Sequence, residues 1–270
     1  MALFDIIDDI AEKQVQKTET GDNRIPGVVI GIVVKNYDLD MPGRICVEVP
    51  TRDEKANELK WARVAMPYSG NQWGFYFLPE IGDQVLLAFE QGNIEKPYVI
   101  GCIPKDTNGF LKKSVDEKNQ YKNIITKNGN KISFEDEATG KGSKDKIIIH
   151  TANQEHRLEL DNALHTIRFS DKEGQNSVEM LTDKGHMTIK AQKILKIQVG
   201  TTIEVTMNGN NGTISITGTK LDLDLKDSLA VQANASVKTT AANISQDANG
   251  MMKINSNGLV NIQGNPIKIG

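Results

Sequence analysis

The stretch HMTIKAQKILKIQVGTTIEVTMNG, residues 186–209, decides the architecture of the C-terminal half of the chain. Every second residue of each short run is apolar, which is typical of a β-strand with one buried face. The apolar residues that open successive runs, Met187, Leu195 and Ile203, stand eight positions apart. A fixed short period of this kind indicates a fibre or solenoid and not a globule.

Similar runs occupy the whole segment 147–270, and no aromatic residue follows Phe169. Each period of eight offers about three inward apolar side chains, too few for one ribbon to offset the entropy of ordering it. Three identical ribbons around one axis would bury these faces and pair the strand edges. The sequence therefore predicts an intertwined trimeric β-helix over 147–270, with about fifteen layers and a length of roughly 70 Å. A single-chain β-helix would need longer rungs, of about twenty residues, with turn signals at that period.

Residues 1–24 are predicted to form a short amphipathic helix and a linker. The segment 2–16 has apolar residues at helical spacing, with aspartates between them, and KTETGDNRIPG follows as a turn-rich connection. Acidic residues interrupt the apolar run, unlike in a secretory signal, and no stretch approaches the roughly 20 apolar residues of a membrane span. We therefore expect synthesis in the cytoplasm, with export only as part of a larger assembly. The apolar helical positions are Leu3, Ile6, Ile7, Ile10 and Ala11.

Residues 25–104 carry four or five short strand patterns separated by turn residues, which predicts a small closed β-barrel. Spacing alone does not distinguish an OB-like barrel from an SH3-like one. We expect four aromatic residues to fill its core: Trp61, Phe75, Phe77 and Phe89. Gly43, Gly82 and Gly92 are expected at turns that need a positive φ, and Pro79 and Pro97 at strand entries.

Residues 105–146 are polar and glycine-rich, and we interpret them as a neck between barrel and needle. Within them, NIITKNGNKISFED predicts a hairpin across Asn128-Gly129.

Several motifs of the barrel segment resemble one protein family. DLDMPGRICVEVP (38–50) resembles a D-x-x-x-x-G-R-V-x-V strand entry, WARVAMPYSG (61–70) a W-v-R-v strand, and GFYFLPEIGDQVLLAFEQGN (74–93) a G-x-x-x-x-P-e-v-G-d-e-V-l-v-x-F-x-x-G-d segment. PYVIGCI (97–103) resembles a P-x-v-l-G-x-v strand. These motifs are those of the OB-fold domain in central spikes of contractile tails, namely phage baseplate assembly protein V and VgrG-like proteins.

The resemblance implies an OB-fold barrel followed by a trimeric β-helical needle that punctures a target cell envelope. It also implies a trimeric hub at the barrel end, a small PAAR-like tip protein at the C-terminal end and contact with the target membrane. Since the barrel follows so soon after residue 1, we expect the hub to be a separate protein. The expected location is the baseplate of a phage tail or tail-like particle, within a virion or extracellular after release.

The sequence offers no convincing catalytic, cofactor or metal site, so we predict a structural protein and not an enzyme. The interval 105–146 is too short for the lysozyme domain of some family members. The four histidines, His150, His156, His165 and His186, lack metal-site spacing, although one histidine per chain on a trimer axis stays open as an alternative. Glu135 and Asp136 fit a solvated hairpin edge. Cys46 and Cys102 are expected to be reduced, with a bridge between them as the alternative.

The formal net charge of −3 argues against a nucleic-acid binder, which would show a basic stripe. The small lysine cluster Lys141, Lys144 and Lys146 surrounds Asp145 and suits a solvated loop. A trimeric carbohydrate-binding or depolymerising tail spike is the alternative function, but the C-terminal half lacks the aromatic groove that it would need. The sequence does not distinguish a phage from a bacteriocin or a secretion system, nor does it identify the target cell or a cargo.

Overall fold

The computed structural model describes residues 16–17, 23–25, 27–49, 58–105 and 108–269. The regular secondary structure of these residues is almost entirely β, as predicted. The strands are β1 (Gln16–Lys17), β2 (Asn23–Arg24), β3 (Val28–Lys35), β4 (Arg44–Val49), β5 (Glu58–Val64), β6 (Ser69–Gly70), β7 (Trp73–Gly74), β8 (Gln84–Phe89), β9 (Pro97–Cys102), β10 (Tyr121–Ile125), β11 (Lys131–Glu135), β12 (Lys146–His150), β13 (His156–Asp161), β14 (Thr166–Asp171), β15 (Ser177–Leu181), β16 (His186–Lys190), β17 (Ile194–Val199), β18 (Ile203–Asn208) and β19 (Thr213–Thr217). One helix, α1 (Gly109–Ser114), and two 3-10 turns, Glu90–Gly92 and Ala152–Gln154, complete the set.

Five strands close into a barrel in the order β3-β4-β5-β9-β8. Strand β3 pairs with both β4 and β8, and the pairing of β5 with β9 is parallel. This Greek-key closure has the architecture of an OB fold, which the strand spacing in the sequence could not distinguish from an SH3-like barrel. The prediction of an OB-type barrel is confirmed.

The barrel core is almost wholly aliphatic, which corrects part of the prediction. Phe89 is buried and Trp61 is half-buried, but Phe75 and Phe77 are 50% and 60% exposed. Both phenylalanines lie in the irregular segment before β8 and not on a barrel strand. The core consists of Ile25, Val29, Val33, Ile45, Val47, Val49, Ala62, Val85, Leu87, Phe89, Ile94 and Val99.

The turn residues of the barrel behave as the sequence indicates. Gly43, Gly82 and Gly92 have φ values of 78°, 90° and 80°, which confirms the predicted positive φ at all three turns. Pro79 does not stand at a strand entry as predicted: it lies in the irregular segment before β8, where it is buried and its carbonyl accepts a hydrogen bond of 3.1 Å from Asn36 Nδ2. Pro97 is also buried and begins β9.

The segment predicted as helix and linker contains two short strands where the structure describes it. Gln16–Lys17 pairs antiparallel with Asn23–Arg24. Ile25 follows directly, buries its side chain in the barrel core and donates a backbone hydrogen bond of 2.9 Å to Gly92 O. The predicted helical positions Leu3 to Ala11 lie outside the described residues.

The predicted neck contains a short helix that the sequence analysis missed. Asn108 caps α1, because its side chain accepts a hydrogen bond of 2.8 Å from Phe110 N. An asparagine two positions before the apolar pair Phe110-Leu111 was the available signal. The predicted hairpin is confirmed as β10 and β11, with Gly129 at φ 95° in the connection.

This hairpin also begins a larger sheet. Strands β10 to β16 form one antiparallel meander of seven strands in sequence order. The returns between strands are tight and reuse aspartate caps: Asp161 Oδ1 accepts from Leu164 N at 2.9 Å, and Asp171 Oδ1 accepts from Gln175 N at 2.8 Å. Positive φ values of 53° at His165 and 63° at Gly174 and Gly185 complete these turns.

The meander differs from the expectation of strands intertwined between chains from residue 147 onward. Because each turn lets the next strand fold back, β12 to β16 pair within a single chain. Strands β17, β18 and β19 form a further three-stranded sheet. Residues 218–269 are all described and contain no helix or strand, and their alternating apolar side chains are exposed.

Candidate functional site

The register of the seven-stranded sheet sorts its side chains into two faces. Residues directly opposite in an antiparallel pair point to the same side, so two cross-strand rows define one face. One row is Lys122, Phe134, Ile147, Leu160, Ile167, Met180 and Met187; the other is Ile124, Ile132, Ile149, Leu158, Phe169, Val178 and Ile189. We call these two rows the apolar face, since Lys122 is their only polar residue; the cross-strand pair His156–Asp171 lies next to them on the same side of the sheet.

Lys122 lies on the edge strand, and its charge is neutralised at the edge of the face. Its Nζ lies 2.7 Å from Asp136 Oδ2. The interior of the apolar face is therefore free of charge. This is the alternation that the sequence predicted, now assembled across seven strands.

The apolar face is largely uncovered in the single chain. Phe169 is 54% exposed, Met187 58% and Ile189 50%. The face borders an open groove of about 870 Å³ whose apolar walls include Ile124, Ile132, Ile149, Leu158 and Phe77. Monomeric soluble proteins rarely leave a contiguous apolar patch larger than a few hundred Å² exposed, so a surface of this kind marks an interaction site.

The opposite face of the same sheet is polar and internally paired. Lys146 Nζ lies 2.6 Å from Asp161 Oδ2 and 3.3 Å from Glu159 Oε1, and Arg157 Nη2 lies 3.0 Å from Glu159 Oε2. Ser133, fully buried, donates to Asn123 Oδ1 at 2.7 Å. Most polar groups of this face are thus paired within the chain, although the buried Nε of Arg168 has no hydrogen-bond partner.

The Lys146–Asp161 pair is held in its charged form. Burial by itself would raise the pKa of the Asp161 carboxyl, but the hydrogen bonds from Lys146 and the backbone N–H of Leu164 outweigh it and keep that pKa below its ordinary value. The hydrogen bond to Asp161 raises the pKa of Lys146. A carboxylate and an ammonium that both stay charged stabilise the sheet and offer no proton for acid–base chemistry.

The structure does not assemble the histidines or the acidic pair into a chemical site. His150 and His156 flank one turn at the rim of the groove, and His150 Nδ1 lies 2.8 Å from Thr151 O. His165 occupies a turn, and His186 begins β16 in an exposed position. Over the part of the chain that the structure describes, no cluster of three or more His, Cys, Asp or Glu residues suits a metal ion.

Glu135 and Asp136 lie at the end of β11, where Asp136 pairs with Lys122 and not with Glu135. Cys46 is buried in the barrel, Cys102 is exposed, and both thiols are free. The alternative of a bridge between them is therefore wrong. Burial raises the pKa of both thiols. At Cys46 the charge of Lys35 opposes this increase, whereas at Cys102 the charge of Asp83 raises the pKa further.

The barrel carries a second exposed apolar surface, on its exterior. Strand β3 alternates strictly, so Val29 and Val33 point into the core while Val28, Ile30 and Ile32 point outward. These three side chains are 49%, 44% and 40% exposed. We call them the barrel stripe. Sequence reasoning missed it because VVIGIVV has no polar residue to show which of its two faces meets solvent.

No helix among the residues that the structure describes combines the length and the apolar character needed to cross a bilayer.

Comparison with known proteins agrees with the barrel topology. Residues 29–103 match the family of type VI secretion system/phage-baseplate injector OB domains. Over 197 residues the chain is 25% identical to the actin cross-linking toxin VgrG1 of Vibrio cholerae, covering 67% of this chain and 17% of that protein. It is 27% identical over 147 residues to the type VI secretion system spike protein VgrG1a of Pseudomonas aeruginosa, covering 51% and 22% of the two chains.

A third relative is the type VI secretion system spike protein VgrG3 of Vibrio cholerae, 29% identical over 138 residues, covering 48% of this chain and 13% of the relative. The chain therefore spans at most about a fifth of the length of these relatives. The toxin activity in the name of one relative belongs to that protein. Residues 29–103 therefore carry an injector OB domain, and the chain is similar to VgrG-like spike proteins.

Proposed function

We propose that this protein is the structural central spike of a contractile injection system and acts as a homotrimer that punctures a target cell envelope. The observation that carries the proposal is the charge-free apolar face of the seven-stranded sheet, which is uncovered in one chain. Residues 1–24 would lead into the barrel of 25–104, the neck of 105–146 would follow, and 147–270 would form the needle. The role is mechanical and not enzymatic.

The size of the apolar face supports association of several copies. Eight of its thirteen apolar side chains are 36–58% exposed and the other five are partly exposed, which leaves on the order of 1,000 Å² per chain to be covered, comparable with one side of a standard stable interface. At about 25 cal/mol per Å² the gross gain from this burial is ~25 kcal/mol per chain, before the costs of association and of ordering side chains are subtracted. Three sheets with their apolar faces turned to one axis would enclose a dry core and leave the paired polar faces in water.

The C-terminal segment supports three copies over two. Two sheets packed face to face would also cover the apolar face. Residues 218–269, however, show the strand pattern without any strand partner in their own chain, and Leu221, Leu223 and Leu225 are exposed. A strand in a closed β-helix needs a neighbour on each edge, which three intertwined chains supply. We therefore infer that pairing passes from within chains, before residue 217, to between chains after it.

The barrel and the C-terminal segment suit different partners. The barrel stripe, Val28, Ile30 and Ile32, would be an apolar surface for a trimeric hub. In the C-terminal segment Ile267 and Ile269 are exposed, and a small PAAR-like tip protein would cover them. Such a particle would be assembled from proteins made in the cytoplasm, as part of a phage baseplate, an R-type bacteriocin or a related secretion machine.

The mechanism follows from the stiffness of closed β-structure. A rod in which every strand edge is paired and the core is dry has no weak hinge, so force from sheath contraction passes along the axis to the tip. The target membrane is then a partner only during puncture. No bond is made or broken by the protein in this scheme.

Two measurements test the proposal. Gel filtration with light scattering should give three times the chain mass of 29.7 kDa; a mass of one or two chains would contradict the trimer. An affinity-tagged copy isolated from producing cells should bring tube, sheath and hub proteins with it. Recovery of free chain alone from cells that make intact particles would count against the spike role.

A further inference from the structure

An aromatic hairpin projects from the barrel between β5 and β8. Within residues 68–77 five aromatic side chains are half or more exposed: Tyr68, Trp73, Phe75, Tyr76 and Phe77. The segment YSGNQWGFYF contains no charged residue. The spike function proposed above does not use it, and the sequence analysis placed two of its rings in the core.

The hairpin is held in one conformation although its aromatic side chains are exposed. Strands β6 and β7 pair Gly70 with Trp73, and Phe75 N donates to Tyr68 O at 2.9 Å. The indole of Trp73 lies over Gly70, where an added Cβ would come within 2.4 Å of the ring. Gly74 has a φ of 150°, and a Cβ there would lie 2.8 Å from Tyr68 O. Rigid exposed aromatic side chains bind a partner at low entropic cost.

The end of the hairpin is fixed beside the apolar face. Phe77 lines the groove together with Ile132 and Ile149, and the Phe75 ring lies 6.3 Å from that of Phe77. Lys127, in the turn between β10 and β11, forms an ion pair of 3.0 Å with Glu80 just after the hairpin. The barrel and the sheet thus share one continuous apolar surface at this point.

The chemistry of this surface points to a second copy of the chain. Nucleic acid would require cations among the aromatic side chains, and the hairpin has none. The hairpin also lacks the acidic groups of a sugar-cleaving site. Phe77 and the apolar face border the same groove. A trimer whose apolar faces point to a common axis would therefore also place Phe77 near that axis. The aromatic surface then meets the next copy and not solvent.

We propose that the aromatic hairpin of each copy seats on the apolar face of a second copy and closes the barrel end of the shared core. The inference rests on the proposed homotrimer and adds to it a specific contact by which the barrel, and not only the needle, joins the subunits. It makes Phe77 the central contact residue. Trp73 and Phe75 extend the contact on the same hairpin.

Photocrosslinking of the full-length protein tests this contact. p-Benzoylphenylalanine replaces Phe77, and light and isotopically heavy copies are mixed by co-expression before irradiation. The expected product joins residue 77 of one copy to residues 121–191 of another, seen as mixed light–heavy peptides. The matched control replaces Phe110, an exposed aromatic residue of α1 that does not line the groove, and should give no such product.

The outcomes separate this inference from the proposed function. A trimeric mass with only same-isotope crosslinks at residue 77 would overturn the inference and leave the trimer standing. A monomeric mass of the unsubstituted protein would overturn both. Crosslinking solely to a co-expressed hub protein would assign the hairpin to that partner and refute the second-copy contact. Loss of the trimer in the position-77 variant alone would support the inference, because the bulky probe then obstructs the contact.

Discussion

Replacing Ile189 by lysine should leave each chain folded but dissociate the proposed trimer. Ile189 lies on the apolar face and is 50% exposed in the single chain, so a lysine there keeps its ammonium in water and changes the free energy of unfolding of one chain by about 1 kcal/mol or less. Thr188, its neighbour on β16, is exposed on the opposite face. Thr188→Lys is therefore a control with the same added charge on the same strand.

The cost in a trimer is much larger. Burying the exposed half of the Ile189 side chain stabilises the trimer by about 2 kcal/mol, and this gain is lost with lysine. Desolvation of the lysine ammonium adds a penalty of several kcal/mol, part of which is relieved when the side chain bends toward the rim of the interface. A net cost of about 3 kcal/mol per copy, taken three times around one axis, weakens the trimer by on the order of 10⁷-fold. At micromolar concentration Ile189→Lys should be monomeric, while Thr188→Lys stays trimeric.

Light scattering gives the mass, and circular dichroism with tryptophan fluorescence reports whether the sheet and the barrel remain folded. A trimeric Ile189→Lys with a melting temperature close to that of the parent would refute the apolar face as the subunit interface. Equal dissociation of both variants would do the same, because it would show a response to charge and not to the face that bears it.

Three further results are expected. Gly31→Val should lower the free energy of unfolding by about 1–3 kcal/mol, because a Cβ at this inward position would lie 2.7 Å from a core leucine. The strand position Gly101 has open space around it and should accept valine. Urea titration of both variants gives the comparison, and equal free energies of unfolding would contradict the packing at Gly31. In the folded single chain Cys102 should react with a thiol reagent before Cys46, which should react only on unfolding; simultaneous reaction would be inconsistent with their burial. The pKa of Asp161 is lower in the folded chain, so its carboxylate stabilises the fold above the unfolded pKa, and this contribution is lost as pH falls through the folded pKa. Asp161→Asn should therefore lose less stability than the parent below about pH 4. Melting temperatures measured against pH give the comparison, and the same decrease in both proteins at acid pH would rule this out.

The two exposed apolar surfaces suggest that the proposed spike would contact its hub and its other copies through different parts of the chain. The barrel stripe lies on a strand whose other face is the barrel core, so a hub bound there would contact a rigid surface. The apolar face lies on a sheet whose seven strands come from one chain, so each copy would contribute an already folded sheet to the assembly. Only the segment after residue 217 would have to form its strands together with the other copies.

Some features of the fold follow from local rules that the sequence shows directly. Alternation at period two, as in Met187-Thr188-Ile189, predicted strands with one apolar side before any register was known. The turn glycines could be predicted because a positive φ excludes most other residues. The Asn128-Gly129 hairpin likewise depends only on nearby residues.

Other features depended on which segments meet in space. Phe75 and Phe77 are apolar residues next to a strand, and nothing local distinguishes a ring inside a barrel from one held outside it. The length of the turns decided that β12 to β16 fold back within one chain, a choice that a repeat of eight residues leaves open. Reduced Cys46 and Cys102 were expected from the sequence, but only their separate places on the barrel excluded a bridge between them.

The sequence by itself determined that the C-terminal half is β-structure with one apolar side, because side-chain alternation along a strand is fixed by the backbone. It also determined, through its barrel motifs, that the first half is an OB-type barrel. Only the tertiary structure decided that seven strands of one chain join into a single sheet, because the geometry of each return sets the register, and alternation along a strand does not reveal it. Only that register shows the apolar residues gathered into one continuous uncovered face, with Phe77 of the barrel beside it.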